Sequence, residues 1–251
     1  MTIEAKIVAH SSHPGCPDLI TVQTRYPRFV HSEVMTHRAF SRSASSSRAV
    51  PIARMIQDVL DDPAMPFEWG SNKPGMQAGV EIENIGWAKA EFHWAVKDAV
   101  NHAKKLAALG LHKQIVNRIL EPFAHISVVI TATDWQNFFE LRCHPAADPT
   151  MRALAEAIRD AIGDSTALPL GIDDWHKPYG GTLRQSAARC ARVSYLNHDG
   201  SNPDPEKDDA LADRLDEEKH LSPFEHQAAP MPGERHANLN GWISYRSMMG
   251  E

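Results

Sequence analysis

Thirteen consecutive residues, Thr36-His-Arg-Ala-Phe-Ser-Arg-Ser-Ala-Ser-Ser-Ser-Arg48, hold three arginines, one histidine and five serines. A guanidinium presents a planar fork of N–H donors that matches phosphate oxygens. Serine hydroxyls and free backbone N–H groups in a tight loop add further donors. Composition leaves two readings open: a phosphate-binding loop, or a flexible basic and serine-rich linker open to phosphorylation. Downstream, Arg142 closes an apolar helical stretch, where a cation also suits the negative end of a helix dipole. His220 and His226 lack the i, i+4 spacing of a helical metal pair, and each reads as a surface or capping histidine. With no H-E-x-x-H and no paired Cys/His spacing, no metal site is expected.

The elements that must position these groups are visible as periodicities. Asp18 to Arg25 partly alternates apolar and polar residues and reads as a strand. Pro27 opens a helix expected from Arg28 to about Arg38, and the serine-rich stretch Phe40 to Arg48 follows as a loop. Ile85 to Leu109 is a long helix with Trp87, Phe92, Trp94, Ala95 and Val100 on its apolar face and Gly110 as its stop. The run Ile126 to Thr131, rich in β-branched residues, reads as a buried strand. Thr133 or Asp134 caps a helix through Leu141, and Asp148-Pro149 starts another that reaches about Ile162. Trp87, Trp94, Trp135, Phe138 and Phe139 sit at helical spacings and are expected in the core. Gly163 to Gly181 is loop-like, a helix runs from Leu183 to about Tyr195, and Asn197 to Lys207 is a surface loop. Ala210 to His220 is a charged helix, and the acidic residues from Asp208 to Glu218 read as its solvated face.

Bulk properties narrow the function classes. The chain has 251 residues and a formal charge of -6, which argues against a protein built mainly to hold nucleic acid. Three separated cysteines, Cys16, Cys143 and Cys190, form no disulfide framework and fit a reducing cytoplasm, or a host cytoplasm if the chain is viral. No signal peptide and no membrane span is expected.

Three blocks together resemble the flavin-dependent thymidylate synthase family. His37-Arg38, seven residues, then Ser46-x-Arg48 is similar to the family signature Arg-His-Arg, seven residues, Ser-x-Arg. Arg118-Ile-Leu-Glu-Pro122, a strand, then Asn137-Phe-Phe-Glu-Leu-Arg142 resembles Arg-x-x-x-Pro, a strand, and Asn-Phe-x-x-Leu-Arg. Ala188-Arg-Cys-Ala-Arg-Val-Ser194 and His220-Leu-Ser222-Pro-Phe-Glu225-His226 look like the Ala-Arg-Val-Ser and His-x-Thr-Pro-Phe-Glu-His blocks. These last blocks precede the signature in the usual members but follow it here, at about 185–227, so the chain resembles a circularly permuted single domain spanning 1–251.

The resemblance implies an α/β (α+β) fold with a mixed or antiparallel sheet wrapped by helices, and a homotetramer with active sites between subunits. It implies C5 methylation of a pyrimidine deoxynucleotide, dUMP to dTMP, with FAD, methylenetetrahydrofolate and NADPH. By the same resemblance His37, Arg38, Asn137, Ser194, Ser222 and Glu225 hold FAD, and Ser46, Arg48, Arg118 and Arg142 bind the nucleotide. Arg142 lies near the base, and His220 where folate and flavin meet. Thr36 stands where the signature has its first Arg, Glu33 where the family has Gln, and Thr131 and Thr133 where it has Asn and Arg. Arg42 is a candidate to replace the missing charge. These departures motivate an alternative substrate, dCMP, for methylation or hydroxymethylation in modified viral DNA; a non-catalytic nucleotide-binding protein is a further alternative.

Overall fold

The computed structural model describes residues 3–197 and 200–250. In chain order the strands and helices are β1 (Glu4–Ser12), β2 (Leu19–Pro27), α1 (His31–Met35), β3 (Ser41–Ala44), α2 (Ile52–Asp61), α3 (Ile85–Ala108) and α4 (Lys113–Leu120). There follow β4 (His125–Ala132), α5 (Gln136–Arg142), α6 (Pro149–Gly163), β5 (Leu168–Pro169), α7 (Leu183–Arg192), α8 (Pro205–Glu217), β6 (Ala228–His236), β7 (Leu239–Ser244) and α9 (Tyr245–Met248). Short 3₁₀ turns sit at Arg28–Val30, Glu121–Phe123 and Ser222–Glu225. The main sheet has the order β3-β4-β2-β1-β5; its pairings are antiparallel except β1 with β5, which makes it mixed, as expected. β6 and β7 form a separate antiparallel hairpin.

Alternation along β4 explains its apolar run. Ile126, Val128, Ile130 and Ala132 face a core shared with Tyr26, Phe40, Trp135, Phe138 and the α6 residues Met151, Leu154 and Ile158. Val129 faces the opposite side, where Cys190 and Val193 cover it. A strand covered on both faces needs apolar residues at successive positions. A second core joins α2, α3 and α4, and a third joins α7, α8 and the Ser222–Glu225 turn.

The far face of the sheet is polar where the C-terminal part packs on it. A chain of hydrogen bonds runs Ser11–His176–Thr21–Thr131–His226–Ser43, with successive distances of 2.8, 2.8, 2.7, 2.8 and 3.0 Å. Every member is buried. A neutral imidazole has one donor and one acceptor, and a hydroxyl has both, so a single direction of donation satisfies all five links. Burial holds both histidines neutral, each pushed down to about 3.

Several expectations need correction. The helix expected over Arg28 to Arg38 is a 3₁₀ turn and the short α1, beyond which Arg42 folds back and its Nη1 donates to the carbonyls of Val34 (3.0 Å) and His37 (3.2 Å). Arg42 is therefore a structural brace. Part of the serine-rich loop is the edge strand β3, whose Ser41 and Ser43 are buried on the polar face. Trp87 and Trp94 are 63% and 47% exposed, so they are outside the core, with rings 5.9 Å apart; Trp135 and Phe138 are inside it. The helix from Leu183 ends early at Arg192, because Val193 takes a left-handed conformation at φ 56. Helix α8 starts at Pro205, inside the expected loop, whose His198 and Asp199 lie outside the described residues. Asp208 is fully buried between Arg189 Nε at 2.8 Å and Arg192 Nη1 at 2.5 Å, not on a solvated face. Helix α3 with its stop at Gly110 (φ +80), and α6 capped by Asp148, stand as expected.

Two stability predictions follow from the buried charges. The unfolded chain takes up protons at its histidines below about pH 6.5, while His176 and His226 in the fold do not until about pH 3. Stability is then fully present above pH 6.5 and is lost as pH falls, by about 1.4 kcal/mol per pH unit for each of the two histidines. Urea midpoints between pH 7 and pH 5 check this; a flat profile contradicts it. Asp208→Ala leaves two buried guanidiniums uncompensated and is expected to lower stability by about 3–5 kcal/mol, read from the same unfolding curves.

Candidate functional site

The residues from the signature and from the end of α5 meet around one cavity. It measures about 200 Å³ and is lined by Thr36, His37, Arg38, Asn137, Phe138 and Arg142 among others. Arg142, in the last turn of α5, crosses to α1 and the residues after it. Its Nε donates to His37 Nε2 (2.9 Å), its Nη1 to Glu33 Oε2 (2.7 Å) and its Nη2 to Thr36 Oγ1 (3.2 Å). Thr36 and Glu33, two departures from the family pattern, thus form one receptor for Arg142. The Glu33 carboxyl is raised by burial, against the opposing pull of Arg142.

His37 packs edge-on to Phe138, with ring centroids 4.9 Å apart. Burial, then Arg142, then Arg42 push it down to about 4. Nε2 accepts from Arg142, so the proton of the neutral ring sits on Nδ1. Arg38 is exposed at the cavity rim and has no hydrogen-bond or ion-pair partner among the described residues. It is the cation of this cavity that is free to meet an external anion.

Ser46, Arg48 and Arg118 form a second cluster, which lines neither this cavity nor the one described below. Glu121, in the 3₁₀ turn after α4, organises it. Ser47 Oγ donates to Glu121 Oε1 (2.5 Å), Arg118 Nη1 lies 3.4 Å from Oε2, and Arg28 Nη2 lies 3.2 Å from Oε1. Asn117 Nδ2 donates to the carbonyls of Ser47 (2.8 Å) and Val50 (2.9 Å). The Ser46–Arg48 turn is thereby fixed beside Arg118, while the Arg48 and Arg118 side chains remain exposed. Neither Glu121 nor Asn117 was singled out in the sequence; the opposite charges at Arg118 and Glu121, three apart, were the available signal.

The third block is spread out. Glu225 accepts from Arg246 Nη1 (2.5 Å) at a cavity of about 250 Å³, lined also by Ser41, Asn238, Ser244 and Ser247. Ser194 follows the left-handed Val193, and its Oγ accepts from the Leu196 N–H (3.1 Å). Ser222 is exposed at the start of its 3₁₀ turn. His220 is exposed beyond α8, with Nδ1 3.4 Å from Glu218. Ser194, Ser222 and His220 line neither cavity. His226 is the one histidine of this block that is fully buried, and it belongs to the hydrogen-bond chain. Of the remaining departures, Thr131 is a link of that chain, and Thr133 Oγ1 accepts from the Asn240 N–H (3.1 Å). Among the described residues no group of three or more His, Cys, Asp or Glu could hold a metal ion, and no helix is long and apolar enough to cross a membrane.

Comparison with known proteins bears on this arrangement. No curated protein matches the sequence. Two crystal structures of PolB, a UMP/dUMP methylase from Streptomyces cacaoi, share its fold. The one bound with 5-Br dUMP has a TM-score of 0.54 at 14% identity over 64% of this chain and 90% of that one. The one bound with 5-Br UMP has a TM-score of 0.51 at 17% identity over 64% and 89%. Thymidylate Synthase X from Helicobacter pylori, crystallised with FAD and dUMP, gives a TM-score of 0.41 at 18% identity over 57% of this chain and 67% of that one. The sequence profile described as thymidylate synthase complementing protein matches residues 18–165, which hold the strands β2 to β4, the first cavity and the Glu121 cluster. That match spans more than half of the chain, and the chain belongs to the thymidylate synthase complementing protein (Thy1) family.

Proposed function

We propose that the chain methylates C5 of a pyrimidine deoxynucleoside monophosphate, converting dUMP to dTMP, with FAD, methylenetetrahydrofolate and NADPH. The observation that carries the reading is the Glu121 cluster, which sets the Ser46–Arg48 turn beside Arg118 with both guanidiniums open to solvent. Two exposed planar guanidiniums beside a hydroxyl-bearing turn suit a phosphomonoester. In this reading Arg48 and Arg118 take the nucleotide phosphate, Ser46 bonds to the nucleotide, and Arg142, with one N–H left on each of Nη1 and Nη2, lies near the base.

The first cavity fits part of a flavin. Its rim offers the unpaired Arg38 and the exposed Asn137, and its wall is the apolar Phe138 and Leu141. His37, Arg38 and Asn137 would hold the cofactor there, with Ser194, Ser222 and Glu225 contributing from the third block. Bound FAD and methylenetetrahydrofolate would supply the redox and one-carbon chemistry, and NADPH the electrons. The protein's own share is to bind, orient and exclude water. Arg142, fixed on three partners, is preorganised and loses little freedom when a ligand arrives. His37, neutral at physiological pH, adds no charge beside it. His220 is proposed to join the site at the folate. The phosphate turn lies outside both cavities, which fits a site completed by another copy of the chain in a homotetramer.

The departures that motivated dCMP each have an internal partner: Glu33 on Arg142, Thr131 in the hydrogen-bond chain, Thr133 on the Asn240 N–H. The substrate test is mass spectrometry of products with dUMP and dCMP offered together, alongside FAD, methylenetetrahydrofolate and NADPH. One added methyl on dUMP is expected; a modified dCMP contradicts the base assignment, and no product from either contradicts catalysis. In the same assay Arg48→Ala is expected to raise KM for the nucleotide roughly 10- to 100-fold, the loss of one charge-assisted hydrogen bond. An unchanged KM removes Arg48 from the phosphate site.

A further inference from the structure

The second cavity is built by segments distant in sequence. Ser41 comes from the edge strand β3, Glu225 from the 3₁₀ turn after α8, Ala237 and Asn238 from the β6–β7 turn, and Leu239 from the start of β7. Ser244, Arg246 and Ser247 come from the end of β7 and from α9. Its polar lining is rich in donors: three serine hydroxyls, one amide and one guanidinium. Arg246 gives Nη1 to Glu225, and its Nε and Nη2 have no partner among the described residues. Glu225 also attracts Arg42 electrostatically, so two positive groups act against one carboxylate. Ser41, in the wall of this cavity, directly follows Phe40, in the wall of the first, so each cavity reaches the edge of the sheet at the start of β3.

The first cavity is short of free cations. Thr36 replaces an arginine, Arg42 is committed to the carbonyls of Val34 and His37, and Arg142 is committed to Glu33, Thr36 and His37. Arg38 alone remains there, whereas a dinucleotide cofactor brings two phosphoryl charges.

We propose that the second cavity is an anion subsite for a diphosphate-bearing ligand, with Arg246 as its binding residue and Ser41, Asn238 and Ser247 as supporting donors. It rests on the functional reading above only in naming that ligand as FAD. Glu225 fixes the Arg246 guanidinium by one edge and leaves the other edge for the phosphoryl oxygens. Arg42 offsets the repulsion that the carboxylate would exert on an anion. Arg246 thus supplies the charge that position 36 lacks, from a different part of the chain.

The test uses the full chain in an Arg48→Ala, Arg118→Ala background, so that the phosphate turn does not take up the probe. Binding of inorganic pyrophosphate, FAD and riboflavin is measured by titration calorimetry with and without Arg246→Gln. Arg246→Gln is expected to weaken pyrophosphate and FAD about tenfold or more and to leave riboflavin within about twofold. Pyrophosphate binding equal in the two proteins overturns the subsite. Arg246-dependent pyrophosphate binding without any flavin binding supports the subsite and overturns FAD as its ligand. If Arg246→Gln folds poorly, Asn238→Asp on the hairpin turn replaces it, adding a negative charge inside the cavity. The same selective loss is expected, and unchanged pyrophosphate binding overturns the proposal.

Discussion

The buried chain Ser11–His176–Thr21–Thr131–His226–Ser43 is the constraint on which the arrangement rests. It joins strands β1, β2, β4 and β3 to two residues from the C-terminal part. An apolar face would have held the two parts together through area alone, with little to fix their register. Hydroxyl and imidazole groups buried without partners are costly, so this face is satisfied in one mutual placement. The placement sets the Ser222–Glu225 turn against β3 and so brings Glu225 and Arg246 beside the signature segment. Thr131, which reads in sequence as the loss of an anion-binding Asn, acts here as the central link.

The arginines divide into two populations, and the division organises the site. Arg42, Arg142, Arg189 and Arg192 are spent on internal carbonyls or carboxylates and give rigidity. Arg38, Arg48 and Arg118 are exposed. Arg118 keeps only a long contact to Glu121, which costs little to break in high dielectric. An acidic protein thus keeps local positive sites because its carboxylates are placed to orient some guanidiniums while leaving others unpaired.

Much of this was legible from residue types and spacing. β4 announced itself through β-branched residues, α3 and α6 through their stop and cap, and the family through the two motif blocks that lie within residues 18–165. The misreadings share a physical origin in partners remote in sequence. Ser41 to Ala44 has no apolar alternation, and it is a strand because its serines face a buried polar layer. β6 carries Pro230, Pro232 and Gly233, which mask a strand; its register shifts there, between Pro230 and Arg235. Arg42 looked like a replacement for the charge missing at position 36 because nothing local shows that it turns back onto the carbonyls of Val34 and His37. Trp87 and Trp94 have helical spacing, but they lie on the outer side of α3, while Phe92 and Val96 pack into the second core. Glu121 and Arg246 were overlooked because their roles depend on groups about twenty to a hundred residues away.

The central claim, that this chain performs flavin- and folate-dependent methylation of a nucleotide, is tested most directly by a single anaerobic turnover. FAD-loaded protein is reduced, mixed with methylenetetrahydrofolate with and without dUMP, and followed by the flavin's visible absorbance. The account predicts that the oxidised flavin spectrum returns only when dUMP is present, in step with formation of dTMP. A flavin that stays reduced with both substrates present, or a protein that takes up no FAD, would contradict it.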